Sequence, residues 1–142
     1  MLGVNESMNP IFMVVHGEPA SKANSRKLVK FGDRPAVIKS DKARAYAKGF
    51  DLQVRPISPL WECEIRLDIW IHYATRRPDL DESLILDLLQ GKVYVNDRQV
   101  RERHVYHMLD KQNPRIEILI QARDDDAALA ELRLVRSAYG RS

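Results

Sequence analysis

Cysteine is almost missing from this chain. Cys63 is the only one among 142 residues, so no internal disulfide can form. That usage fits a reducing cytoplasm. Cys63 falls among alternating apolar positions and reads as a packing residue rather than a nucleophile. Long apolar runs are missing too. None approaches the roughly 20 residues that a membrane span requires, so no membrane partner is expected. The first ten residues lack a basic segment followed by an apolar one, so no secretory signal is expected, and Met8 could serve as a second start. No glycine-rich phosphate loop occurs, and no serine stands in a nucleophile elbow. The four histidines (His16, His72, His104 and His107) show no zinc spacing. His104 and His107 lie three apart in a segment that reads as extended, which turns them to opposite faces.

What is present is a globular composition, 44% hydrophobic and 30% charged, with a net charge of +3. The charge is unevenly spread. Residues 22–48 hold nine Lys and Arg against Asp33 and Asp41, which is +7, so the remainder sums to −4. A basic segment beside an acidic body suits a protein that grips phosphates with one part and holds a cation with another. Charge alone does not separate that arrangement from a solvated loop and helix face. Lys22, Arg26, Lys27 and Lys30 are the candidates for phosphate contact.

The pattern predicts an α+β chain: a single small domain with a mixed β-sheet and flanking helices. The domain is expected to span 1–142, with 1–10 and 123–142 peripheral. Ile11 to Val15 reads as a strand, and Ser21 to Arg34 as a loop. Ser40 is placed to cap a helix whose apolar face is Ala43, Tyr46, Ala47, Phe50 and Val54. Trp61 to Ile71 alternates with period two and predicts a long strand with one buried face. Ser83 to Gln90 predicts a short buried helix ended by Gly91. Val100 to Leu109 and Ile116 to Ile120 read as strands, and Asp124 to Tyr139 as a terminal helix.

Three aspartates frame the short helix. Asp79 and Asp81 are two apart, which in extended backbone puts both on one face. Asp97 lies beyond the helix, where the chain could return to the same end of the sheet. Converging carboxylates repel unless a cation joins them, and oxygen ligands suit Mg²⁺ or Mn²⁺. Such a cation beside a phosphodiester would activate water and stabilise phosphate charge. Spacing alone leaves plainer roles open: Asp81 as a helix cap, Asn96-Asp97 as a turn, Asp79 as a solvated residue.

The text around the aspartates resembles the RusA family of Holliday junction resolvases. Residues 76–100 read RRPDLDESLILDLLQGKVYVNDRQV. The family pattern is basic residues, D-L-D-N, a short helix with L-D-A-L, a glycine, and D-D-x-Q-[VI]. Asp79-Leu80-Asp81, Leu86-Asp87-Leu88-Leu89 and Asn96-Asp97-Arg98-Gln99-Val100 match in order, with Asn96 in place of the first Asp. Gly17-Glu18-Pro19-Ala20-Ser21-Lys22 is similar to an early G-x-P-x-x-K segment, and Asn113 to Ile118 to a late N-P-R-[IV]-E-[IV] segment of phage-type members. The resemblance covers about residues 11 to 121.

The resemblance implies a metal-dependent endonuclease for four-way DNA junctions, acting in recombination and repair. Asp79, Asp81 and Asp97 would be its catalytic, Mg²⁺- or Mn²⁺-binding carboxylates. Arg76 and Arg77 would join the DNA contacts. It also implies a homodimer on branched DNA in a bacterial or phage-infected cytoplasm. One departure stands out. The family's D-L-D-N-L-x-K ends in a lysine that assists catalysis, and here Ile85 stands there. Lys92, Lys111, Lys22 or Arg77 are the cations available to replace it. Glu82 and Asp87 are further acids, as ligands or as helix-dipole and ion-pair partners. A noncatalytic junction-binding relative, or a nuclease of this fold acting on other DNA structures, are the alternative readings.

Overall fold

A computed structural model describes residues 9–21, 24–76, 79 and 81–140. Its centre is strand β4 (Ile65–Tyr73), in which Ile65, Leu67, Ile69, Ile71 and Tyr73 are fully buried. The alternation of Ile, Leu and Ile with polar residues places those side chains on one face. Against that face pack helix α1 (Asp41–Gln53), through Ala43, Tyr46 and Phe50, and helix α2 (Ser83–Leu89), through Leu84, Ile85, Leu86 and Leu89. The sheet is completed by β1 (Ile11–His16), β5 (Val100–Leu109) and β6 (Arg115–Ala122), in the order β1-β6-β4-β5. β6 runs antiparallel to β1 and β4, while β5 runs parallel to β4. The α+β class with a mixed sheet is therefore as expected. No helix among the described residues is long and apolar enough to cross a membrane.

Ser40 caps α1 as expected, its hydroxyl accepting from the Ala43 N–H at 3.1 Å. The long strand starts later than its periodicity predicts. Trp61 to Glu64 lie ahead of β4, because the Gln99 amide donates to the carbonyls of Trp61 and Cys63 at 2.8 and 2.9 Å. Besides that side chain, the Trp61 N–H donates to the Val93 carbonyl at 2.7 Å and the Glu64 carbonyl accepts from the Arg123 N–H at 2.9 Å, so the segment is held by isolated contacts rather than by a continuous ladder. Cys63 is half-buried, and burial pushes its thiol pKa up.

The larger difference is in the basic segment. Instead of a loop, residues 26–39 form a hairpin, β2 (Arg26–Phe31) and β3 (Arg34–Lys39), in a sheet of its own. The turn is Gly32-Asp33, with Gly32 at φ +63° and no positive φ at Asp33. A two-residue loop with glycine first matches the twist of a hairpin. Lysines and arginines between the apolar residues obscured the alternation of Leu28, Lys30 and Val37 with Lys27, Val29 and Ile38.

The sheet face opposite the helices is open. It carries Trp70 stacked on Tyr106 at 5.6 Å, with Phe12 and Met108 beside them. The terminal helix α3 (Asp125–Tyr139) is capped by Asp124, and every residue of known burial on it is at most half-buried, including Leu129, Leu132, Leu134 and Val135.

Truncating the centre of β4 should be expensive. We expect Ile69→Ala to lower stability by about 2–5 kcal/mol, read as an earlier urea midpoint with unchanged slope. A midpoint shift near zero would contradict the packing described.

Candidate active site

The chain leaves β4 at Tyr73 and enters the segment that carries the first two aspartates. Asp79 is exposed, and its carbonyl lies 3.4 Å from the Tyr73 hydroxyl. Asp81 is buried. One carboxylate oxygen accepts from the Ser83 N–H at 3.1 Å and the Ser83 hydroxyl at 2.6 Å. The other lies 2.7 Å from the Ser25 hydroxyl, whose single proton also faces the Ser21 carbonyl at 2.6 Å. Asp81 thus meets the start of α2, as a cap would, and also reaches across to the base of the hairpin. Burial is the largest single influence on its carboxyl and opposes the charge. The hydroxyls of Ser83 and Ser25, the Ser83 N–H and the Arg26 charge together outweigh it and hold the pKa below its ordinary value.

Glu18 is an acid that spacing did not single out, although it stands inside the early family-like segment. Its carboxylate accepts from the Ala74 N–H at 2.9 Å, immediately after β4, and faces Lys42 at 3.5 Å. Burial, then Asp81, Glu18 and Asp79, push the Tyr73 phenol up to about 12. Three carboxylates are therefore within electrostatic reach of one hydroxyl.

Asp97 stands elsewhere. β5 pairs with β4 in parallel, Ile65 opposite Val100 and Tyr73 opposite Leu109. Asp97 precedes β5, so it enters beside the start of β4, whereas Asp79 and Asp81 follow its end. The expected return to the same end of the sheet is corrected by that pairing. Asp97 opens a single 3₁₀ turn, Asp97–Gln99, and is exposed. Asn96 caps the turn, accepting from the Arg98 N–H at 2.9 Å. Asn and Asp offer the same acceptor there, which accounts for the Asn in place of Asp. Gln99 fastens the turn. Its oxygen accepts from the Val95 and Asn96 N–H groups at 3.0 and 2.9 Å, while its amide holds Trp61 and Cys63. Burial, Asp97 and Asp87 push the Tyr94 phenol well up. Asp97 thus shares a second acidic neighbourhood with Asp87.

Among the described residues, no three His, Cys, Asp or Glu side chains form a group placed to hold a metal. The donor chemistry nevertheless suits a hard divalent cation. All the candidate acids offer carboxylate oxygen, and Asp81 uses three of about four lone-pair directions. The donor type fits, and the gathering of the third carboxylate is not present in a single chain.

The basic candidates divide. Arg26 acts on Asp81 electrostatically. Lys27 pairs with Asp41 at 3.0 Å, tying the hairpin to α1, and Lys30 is exposed on the hairpin. Arg76 is exposed, while Lys22 and Arg77 lie outside the described residues. Asp87 is exposed and pairs with Lys39 at 3.1 Å. Glu82 occupies the cap position of α2 without a capping hydrogen bond and faces Arg103 at 3.7 Å. Lys92 is paired with Asp51 of α1 at 3.4 Å. Ile85 is fully buried in the core, so this position presents no cation to a substrate. His104 and His107 do face opposite sides: His104 pairs with Glu102, and His107 packs on Tyr73.

The Asp81 hydrogen bonds have a pH signature. A carboxyl with a lowered folded pKa contributes stability that is present above its unfolded value and is lost as pH falls through the folded one. In a carboxyl NMR titration, Asp81 should have its midpoint below the ordinary 3.8. Ser83→Ala should move that midpoint upward; an unmoved midpoint would rule out the hydroxyl as its cause.

Comparison with protein-family models matches the chain to the family described as endodeoxyribonuclease RusA, over residues 16–121. Comparison with curated proteins gives no match.

Proposed function

Because the chain belongs to the RusA endodeoxyribonuclease family, we propose that it is a structure-selective endonuclease that resolves four-way DNA junctions in recombination and repair. The observation that carries this reading is the family match across residues 16–121, which includes all three aspartates. Water would attack a backbone phosphate, the phosphorus–oxygen bond to one deoxyribose would break and that oxygen would leave as a hydroxyl, each protomer nicking one of two opposed strands. Asp79, Asp81 and Asp97 are the carboxylates assigned to divalent-cation binding, Mg²⁺ or Mn²⁺, with Asp97 standing apart from the other two in one chain. Held by these carboxylates, such a cation would supply an activated water and would offset phosphate charge. Ser25 and Ser83 keep Asp81 ionised and oriented at neutral pH. Arg26, Lys27, Lys30 and Arg76, with Lys22 and Arg77, are assigned to the DNA backbone.

A two-fold substrate suits a two-fold protein. The open sheet face and the apolar residues of α3 remain uncovered in one chain, which supports a homodimer. Contiguous exposed apolar surface commonly marks such an interface. Sedimentation velocity should report a species of twice the chain mass, and a monomer at every concentration would refute the dimer.

The decisive assay uses a labelled four-way junction and a duplex, each with and without Mg²⁺ or Mn²⁺. Paired nicks in the junction alone, only with metal, are expected. Asp79→Asn should abolish nicking and keep junction binding, and it should weaken Mn²⁺ binding measured by calorimetry. Equal cutting of duplex would favour a general nuclease, and binding without cutting a noncatalytic relative. Unchanged cutting by Asp79→Asn would remove that residue from the site.

A further inference from the structure

Beside Asp97 lies an open cleft of about 430 Å³, lined by Leu86, Asp97, Arg98, Val100, Arg101 and Arg103. We propose that Arg98, Arg101 and Arg103 form a binding site for DNA backbone phosphates. This rests on the nucleic-acid part of the function proposed above and adds contacts outside the basic hairpin.

The three guanidiniums reach one cleft for identifiable reasons. Arg103 lies opposite Leu67 on β4 and so faces the helix side of the sheet. Arg101 is an extra residue in the ladder: Ile65 pairs with Val100 and Arg66 pairs with Glu102, leaving Arg101 with no partner of its own in that register. A bulge of this kind re-aims a side chain. It allows Arg101 to line the same cleft as Arg103 and Val100. Arg98 comes from the 3₁₀ turn that Gln99 anchors. The cleft wall therefore carries three guanidiniums against the one carboxylate of Asp97.

Their acidic neighbours leave them available. Arg101 faces Glu64 at 3.8 Å and Arg103 faces Glu82 at 3.7 Å. Both arginine side chains are more than half exposed, at 63% and 51%. Exposed pairs this long are weak and readily exchanged. Arginine is suited to phosphate because its planar fork donates two parallel hydrogen bonds. Leu86 and Val100 supply the apolar part of the cleft wall. Glu82 also links the cleft to the first acidic neighbourhood, since it directly follows Asp81. A strand of DNA lying on Arg101 and Arg103 would thus pass between the two groups of aspartates.

The test is a binding measurement that does not need cleavage. Full-length protein is titrated against a fluorescent four-way junction and a fluorescent duplex in EDTA, over a range of sodium chloride. The variants are Arg98→Ala with Arg101→Ala, and Arg103→Ala, with Arg136→Ala on α3 as control. Circular dichroism melting confirms that each is folded. The double variant should bind about tenfold more weakly, and its plot of log affinity against log salt should be shallower by about 2, roughly one per arginine removed. Arg103→Ala should lower the slope by about 1. The control should match the unmodified protein. Unchanged affinity and slope in both cleft variants would overturn the proposal, as would failure of the unmodified protein to bind either DNA at low salt. If the unmodified protein binds but never nicks with metal, the nuclease reading fails while the slopes still decide the cleft.

Discussion

The parallel pairing of β4 with β5 governs this molecule. Parallel neighbours cannot be joined by a tight turn, so the chain must travel back along the sheet between them. Apart from Glu18, which comes from the segment after β1, every acid of the candidate site lies on that return or at its ends. Asp79 and Asp81 stand where the chain leaves β4, α2 covers the core midway, and Asp97 stands where β5 begins. Mobility in this crossover would move the acids. Two devices restrain it: α2, with Leu84, Ile85 and Leu89 packed into the core, and Gln99, with four hydrogen bonds to backbone groups on both sides.

Much of this was legible from residue order. The period-two run through Ile65, Leu67, Ile69 and Ile71 marked the central strand, Ser40 marked a helix start, and Gly91 marked the end of α2. Strand direction was not legible, because alternation is the same in parallel and antiparallel partners. The position of Asp97 relative to Asp79 depended on that direction alone. The hairpin was masked by its own charge, although Gly32-Asp33 is a turn signal of known kind. Glu18, Ser25 and Gln99 act through contacts with residues far off in sequence, 56 positions away for the Ser25 contact with Asp81. Local pattern carries no record of such a contact. The aspartates themselves were found through the family-like text around them.

The acid and basic regions, separate in sequence, are physically joined. Ser25 closes the base of the hairpin and touches Asp81, and Arg26, the next residue, supports the charge of the same carboxylate. The hairpin is therefore anchored at the acid it would serve. At its turn end Phe31 is exposed, and nearer the base the paired Leu28 and Val37 are exposed as well.

That anchoring has a consequence for the ionic atmosphere of the protein. Lys27 and Lys39 already have carboxylate partners, Asp41 and Asp87, at 3.0 and 3.1 Å. These acids serve as counterions built into the chain. When a polyanion takes over such a lysine, the displaced partner is a tethered carboxylate, which must then find a mobile cation of its own. The uptake of that cation offsets the release of one from the polyanion. Two cations of the hairpin thus contribute charge to the surface while adding little entropy of ion release, unlike Arg101 and Arg103, whose long pairs with Glu64 and Glu82 at 3.8 and 3.7 Å are too loose to serve as built-in counterions.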